Sequence, residues 1–116
     1  MMASENESVL ERPLPIMIKF WAGGHSHDYR YITRSLKSLF ASDLPSCARI
    51  VLVDDQSTDQ RIVDRVHSYA RSDGRVEVWR NPERMGPNRG HEYNFPRVVE
   101  RFPDARLFML CDDDII

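Results

Sequence analysis

Two groups of carboxylates stand where apolar runs give out: Asp54 and Asp55 within Val53-Asp54-Asp55-Gln56-Ser57-Thr58-Asp59, and Asp112, Asp113 and Asp114 after Cys111. An ionised carboxylate only accepts hydrogen bonds, so the first group suits a base N–H or the hydroxyls of a ribose. Adjacent aspartates in the second group repel one another, and a hard divalent cation that shares oxygens with a diphosphate relieves that repulsion. Each group also has a plainer reading. Asp, Ser and Thr favour helix-capping turns, and a terminal run of aspartates can be a polar loop or a frayed end.

The remaining reactive side chains form weaker patterns. His25-Ser26-His27-Asp28 has only His67 and His91 to complete a metal site, so these residues read as loop and N-cap residues. Arg80, Arg84 and Arg89 flank a Pro/Gly loop and could meet a phosphate, although solvated surface arginines are the simpler account of at least two of them. Glycines 23, 24, 86 and 90 do not have phosphate-loop spacing. Cys47 and Cys111 are far apart and read as free thiols, and Trp21 and Trp79 as packing residues.

The elements that must position the carboxylates follow from periodicity. Ile16 to Ala22 is a short apolar run that fits a strand, and Ile32, Leu36, Leu39 and Phe40 recur at helical spacing up to Ala41. Arg49 to Val53 is a second, β-branched strand leading into the first acidic group. Ser57 to Gln60 has the form of a capping box for a helix carrying Ile62, Val63, Val66, Tyr69 and Ala70. Arg75 to Arg80 alternates as a third strand, and Asn81 to Gly90 reads as a loop. A third helix is marked by Phe95, Val98, Val99 and Phe102, with Pro96 placing its regular start near Asn94 or kinking it there. Leu107 to Leu110 is the fourth strand. The order βαβαβαβ predicts an α/β domain with a parallel sheet of about four strands, helices on both faces and ligand chemistry at the carboxyl ends of the strands.

The bulk numbers fit one domain. The chain has 116 residues, 41% of them hydrophobic and 29% charged, with a formal charge of −2 that gives no electrostatic reason to expect nucleic acid or an anionic membrane as partner. Residues 1–14 read as a disordered leader without signal-peptide layout, and no apolar run is long enough to span a membrane. A cytoplasmic protein is the expectation, with residues 15–116 as its folded unit.

These residues resemble the N-terminal half of a family 2 glycosyltransferase with the GT-A fold. The likeness runs from Pro15 to Ile116: "IVLVDDQSTD" stands where the family has Val-Asp-Asp-Gly-Ser-Thr-Asp, and "LFMLCDDDII" is similar to the family's Asp-x-Asp segment. The resemblance implies a Rossmann-like nucleotide-sugar-binding half with strand order 3-2-1-4, and a crevice where that order reverses. It implies a nucleotide-diphosphate-sugar donor, UDP-sugar favoured, with Mg2+ or Mn2+ as cofactor. Asp55 and Asp54 would then face the base, Phe20 and Ala22 would line the nucleoside pocket, and Arg89 and Asp112 would contact the donor. Asp113 and Asp114 would hold the metal, although the triplets Cys111-Asp112-Asp113 and Asp112-Asp113-Asp114 both fit the motif. The family's Pro-Thr-Tyr-Asn turn is replaced here by Phe20-Trp21-Ala22-Gly23-Gly24. The family's acceptor wall and catalytic base lie downstream of the metal motif, so the expectation is a donor-binding fragment that is inactive alone, with no catalytic residue of its own. The competing readings are a non-catalytic nucleotide-binding module and a magnesium-binding receiver-like signalling domain. The receiver reading wants its acidic pair after the first strand, which instead ends Trp-Ala-Gly-Gly.

Overall fold

The computed structural model describes residues 12–23 and 26–111, so the expected leader and Asp112, Asp113 and Asp114 lie outside the described residues. Seven elements alternate: β1 (Leu14–Phe20), α1 (Ser26–Ala41), β2 (Ala48–Asp54), α2 (Gln60–Ser72), β3 (Val76–Arg80), α3 (Gly86–Arg101) and β4 (Met109–Cys111). The strands pair in parallel in the order β3-β2-β1-β4, as expected from the sequence. Right-handed crossovers explain the layering. The steps from β1 to β2 and from β2 to β3 move the same way and put α1 and α2 on one face. The step from β3 to β4 reverses and puts α3 on the other.

Strand alternation fills both interfaces. Ile16, Ile18, Phe20, Ile50, Leu52 and Val76 meet Ile32 and Leu36 of α1 and Ile62 and Val66 of α2. Phe40 stacks on Tyr69 with ring centroids 4.4 Å apart, which joins the two helices. Met17, Val51 and Val53 point the other way, against Val98 of α3 and Phe102. With both faces covered, β1 and β2 read as nearly continuous apolar runs.

Two local expectations change. The residue capping α2 is Asp59, whose carboxylate accepts the Arg61 N–H at 3.1 Å. Ser57 is drawn away from the expected capping box because its hydroxyl accepts the Ala22 N–H at 2.9 Å. The second change is α3, which begins at Gly86, inside the expected loop, and runs through Pro96. Pro96 lacks the N–H that would donate to the Glu92 carbonyl, and both residues are exposed. Among the described residues, Cys47 and Cys111 form no disulfide.

Candidate functional site

The carboxyl ends of β1 and β2 are joined by a dense set of hydrogen bonds. Asp55 N–H donates to the Phe20 carbonyl at 3.0 Å, and Thr58 and Asp59 N–H donate to the Ala22 carbonyl at 2.9 and 3.1 Å. Trp21 Nε1 donates to the Gln56 carbonyl at 3.2 Å. Phe20 and Ala22 are both buried with their side chains in the core, so they offer the crevice backbone only. Trp21, between them, is half-buried and carries the Arg84 guanidinium 3.7 Å from its ring centroid.

Gln56 adopts a φ of 65°, the left-handed region that disfavours a residue with a Cβ. Its side chain is held on both sides. The amide donates to the Asn81 carbonyl, and its Oε1 accepts from Arg80 Nη2 at 3.3 Å. Arg80 also donates to the Ser57 carbonyl at 3.1 Å and lies 3.5 Å from Asp54 Oδ2. Arg80 thus clamps the acidic loop from β3.

Both aspartates of that loop are 2% exposed, and both are already coordinated by the protein. Asp54 Oδ1 accepts the Ser57 N–H at 2.7 Å. Asp55 Oδ1 accepts from Asn81 Nδ2 at 2.7 Å and from Met85 N–H at 2.8 Å, and its Oδ2 accepts the Gly86 N–H at 2.9 Å. Asp55 therefore caps a helix, as one reading of the sequence allowed, but the helix is α3 rather than the one that follows it in the chain. Met85 supplies no side-chain cap of its own, and Gly86, at φ 76°, takes a backbone shape that favours glycine. A carboxylate has about four acceptor sites. Three are filled on Asp55 among the described residues.

Behind Asp55 runs a buried amide relay: Asn94 Nδ2 donates to Asn81 Oδ1 at 2.9 Å and to the Gly90 carbonyl at 2.8 Å. Asn81 and Asn94 are both 0% exposed. The family resemblance offers Asn94, with Arg89, as the counterpart of an Arg-Asn pair, whereas Asn81, which follows β3 directly, carries no sequence signal of its own. Arg89, the expected donor contact, lies apart from this network on the exposed first turns of α3 and pairs with Glu83 at 2.7 Å.

Among the described residues, no group of three His, Cys, Asp or Glu side chains is placed to hold a metal ion. Asp112, Asp113 and Asp114 fall outside them. The last described residue of β4, Cys111, pairs with Ile18 beside the point where the strand order reverses. An all-carboxylate donor set directly after it in the chain fits a hard cation such as Mg2+ or Mn2+.

A family model described as glycosyl transferase family 2 matches residues 26–115. No curated protein matches the chain. Among solved structures, that of S. aureus TarS 1-349 in complex with UDP-GlcNAc is similar, with 23% identity, a TM-score of 0.64, and coverage of 88% of this chain and 26% of that one. The structure of S. aureus TarS 1-349 described without a ligand gives 23% identity, a TM-score of 0.60, and coverage of 88% and 27%. At this identity the likeness establishes the fold, and the chain spans about a quarter of the length of the structures it matches.

Proposed function

The chain belongs to glycosyl transferase family 2, and on that premise we propose that it forms the donor side of a glycosyltransferase, binding a nucleotide-diphosphate-sugar, UDP-sugar favoured, for transfer to an acceptor hydroxyl. The observation that carries this reading is the joined carboxyl edge of β1 and β2, set beside the switch point between β1 and β4. Open α/β sheets bind ligands at that place. The bound UDP-GlcNAc named for the similar TarS structure favours a uridine nucleotide here.

In this reading the remaining acceptor site of Asp55 takes a base N–H, while Asp54, held by Ser57 and Arg80, keeps the loop in shape. The backbone of Phe20 to Ala22 walls the nucleoside pocket. Arg89 can exchange Glu83 for a donor phosphate, since an exposed ion pair of this kind contributes little. Asp112 contacts the donor and Asp113 and Asp114 hold the divalent cation, which when bound neutralises charge on the diphosphate leaving group. The acceptor-binding wall and the catalytic base belong to the rest of the glycosyltransferase domain.

Calorimetry of UDP binding to the chain, with manganese and then with chelator, tests the reading. Binding only in the presence of metal is expected, and the double substitution Asp113→Asn, Asp114→Asn should abolish the metal dependence. Equal affinity in chelator would remove the bridging metal, and no UDP binding in either condition would remove the donor reading.

A further inference from the structure

Lys19 lies beside the switch point, yet none of the hydrogen bonds around Asp54 and Asp55 uses it. It lies between buried Ile18 and Phe20 in β1 and therefore shares the α3 face with Met17. On one side its register partner is Val53 of β2, and on the other the β1–β4 ladder ends one residue earlier, at Ile18 against Cys111. The next residue in the chain after Cys111 is Asp112.

The stem of Lys19 is pinned against α3. A Cβ built on Gly90 would fall 2.5 Å from Lys19 Cδ, 3.1 Å from Cε and 3.7 Å from Nζ, so glycine at this position is what leaves room for the side chain. Gly90 is itself fixed, because its carbonyl accepts from Asn94 within the buried amide relay. Lys19 is half-buried, and among the described residues no carboxylate or carbonyl takes up its ammonium. A half-buried ammonium beside the point where the strand order reverses suits an anionic ligand.

We propose that Lys19 contacts the diphosphate of the donor, with Gly90 as the gap in α3 that positions its ammonium. The proposal rests on the donor-binding reading above. It adds a second protein cation, besides Arg89, to the metal proposed for the same group. An ammonium is a compact point charge suited to phosphate oxygens, whereas the arginines nearby are engaged elsewhere: Arg80 on the acidic loop and Arg84 on Trp21.

The test compares UDP with uridine on the full chain in the same manganese buffer. Lys19→Met keeps an unbranched stem against Gly90 and removes the charge. It should weaken UDP binding by about tenfold, the usual scale of one hydrogen bond to a charged group, and leave uridine binding unchanged. Lys19→Arg should recover most of the UDP affinity, and the affinity of the parent should fall more steeply with salt than that of Lys19→Met. UDP binding by Lys19→Met equal to that of the parent would overturn the proposal and leave the donor reading intact. Equal losses for uridine and UDP would also overturn it, by assigning Lys19 a packing role. A parent chain that binds neither ligand would overturn both readings.

Discussion

Gln56 shows how a single side chain can hold the acidic loop in an unfavourable backbone shape. The resemblance places glycine at this position, and the φ of 65° explains why glycine fits there. Here the cost of a Cβ is offset by side-chain hydrogen bonds to the Asn81 carbonyl and to Arg80. Gln56→Ala keeps the strain and loses both bonds, so it should destabilise the fold by about 1–2 kcal/mol. Gln56→Gly relieves the strain as it loses the bonds, and should stay within about 0.5 kcal/mol of the parent. Urea denaturation measures both; equal losses for Ala and Gly would remove the argument from φ. At this scale the sequence identified the acidic residues by type and position. It did not reveal that Asp55 caps α3 or that Arg80, Asn81 and Asn94 complete the network, because those partners converge only when β2, β3 and α3 pack together.

Helix α3 is the element whose extent differs most from expectation. Its N-terminal turns contain two glycines and a proline and lack periodic apolar residues, so sequence reads them as loop. Asp55, just after β2, supplies the cap that Met85 lacks. Pro96 within the helix removes the N–H that the Glu92 carbonyl would accept. Pro96→Ala should restore that bond and stabilise the fold by about 1–3 kcal/mol, read as a higher urea midpoint, and a lower midpoint would mean that the proline ring packs usefully. Helix α2 bears on acid stability. Hydrogen bonds from Arg61 hold Asp59, its N-cap, below the usual carboxylate range, and those from Arg75 do the same for Asp73, its C-cap. A folded pKa below the unfolded one stabilises at pH above about 4, and that contribution is lost as the pH falls through the depressed folded values. The double variant Asp59→Asn, Asp73→Asn should therefore show a shallower loss of stability below pH 4 than the parent. Parallel acid limbs for the two proteins would contradict this assignment.

For the molecule as a whole, the strand order was legible through the family resemblance, and the observed order β3-β2-β1-β4 agrees with it. The same topology puts β4 at a sheet edge, paired only with β1 among the described strands. In the sequence Leu107 to Leu110 reads as a strand whose apolar surface is expected to be left exposed. In the fold, Leu107 is 68% exposed and Met109 and Leu110 are each 48% exposed, with half-exposed Val99 on α3 adding a further apolar residue. An unpaired edge that carries apolar side chains invites another strand or another copy of the chain. The chain is therefore expected to self-associate as its concentration rises. Leu110→Lys places a charge on this edge and should shift light scattering toward monomer with little change in the urea midpoint, since Leu110 is half exposed. Concentration-independent monomer for the parent, or unchanged association in Leu110→Lys, would mean that β4 is not the adhesive edge.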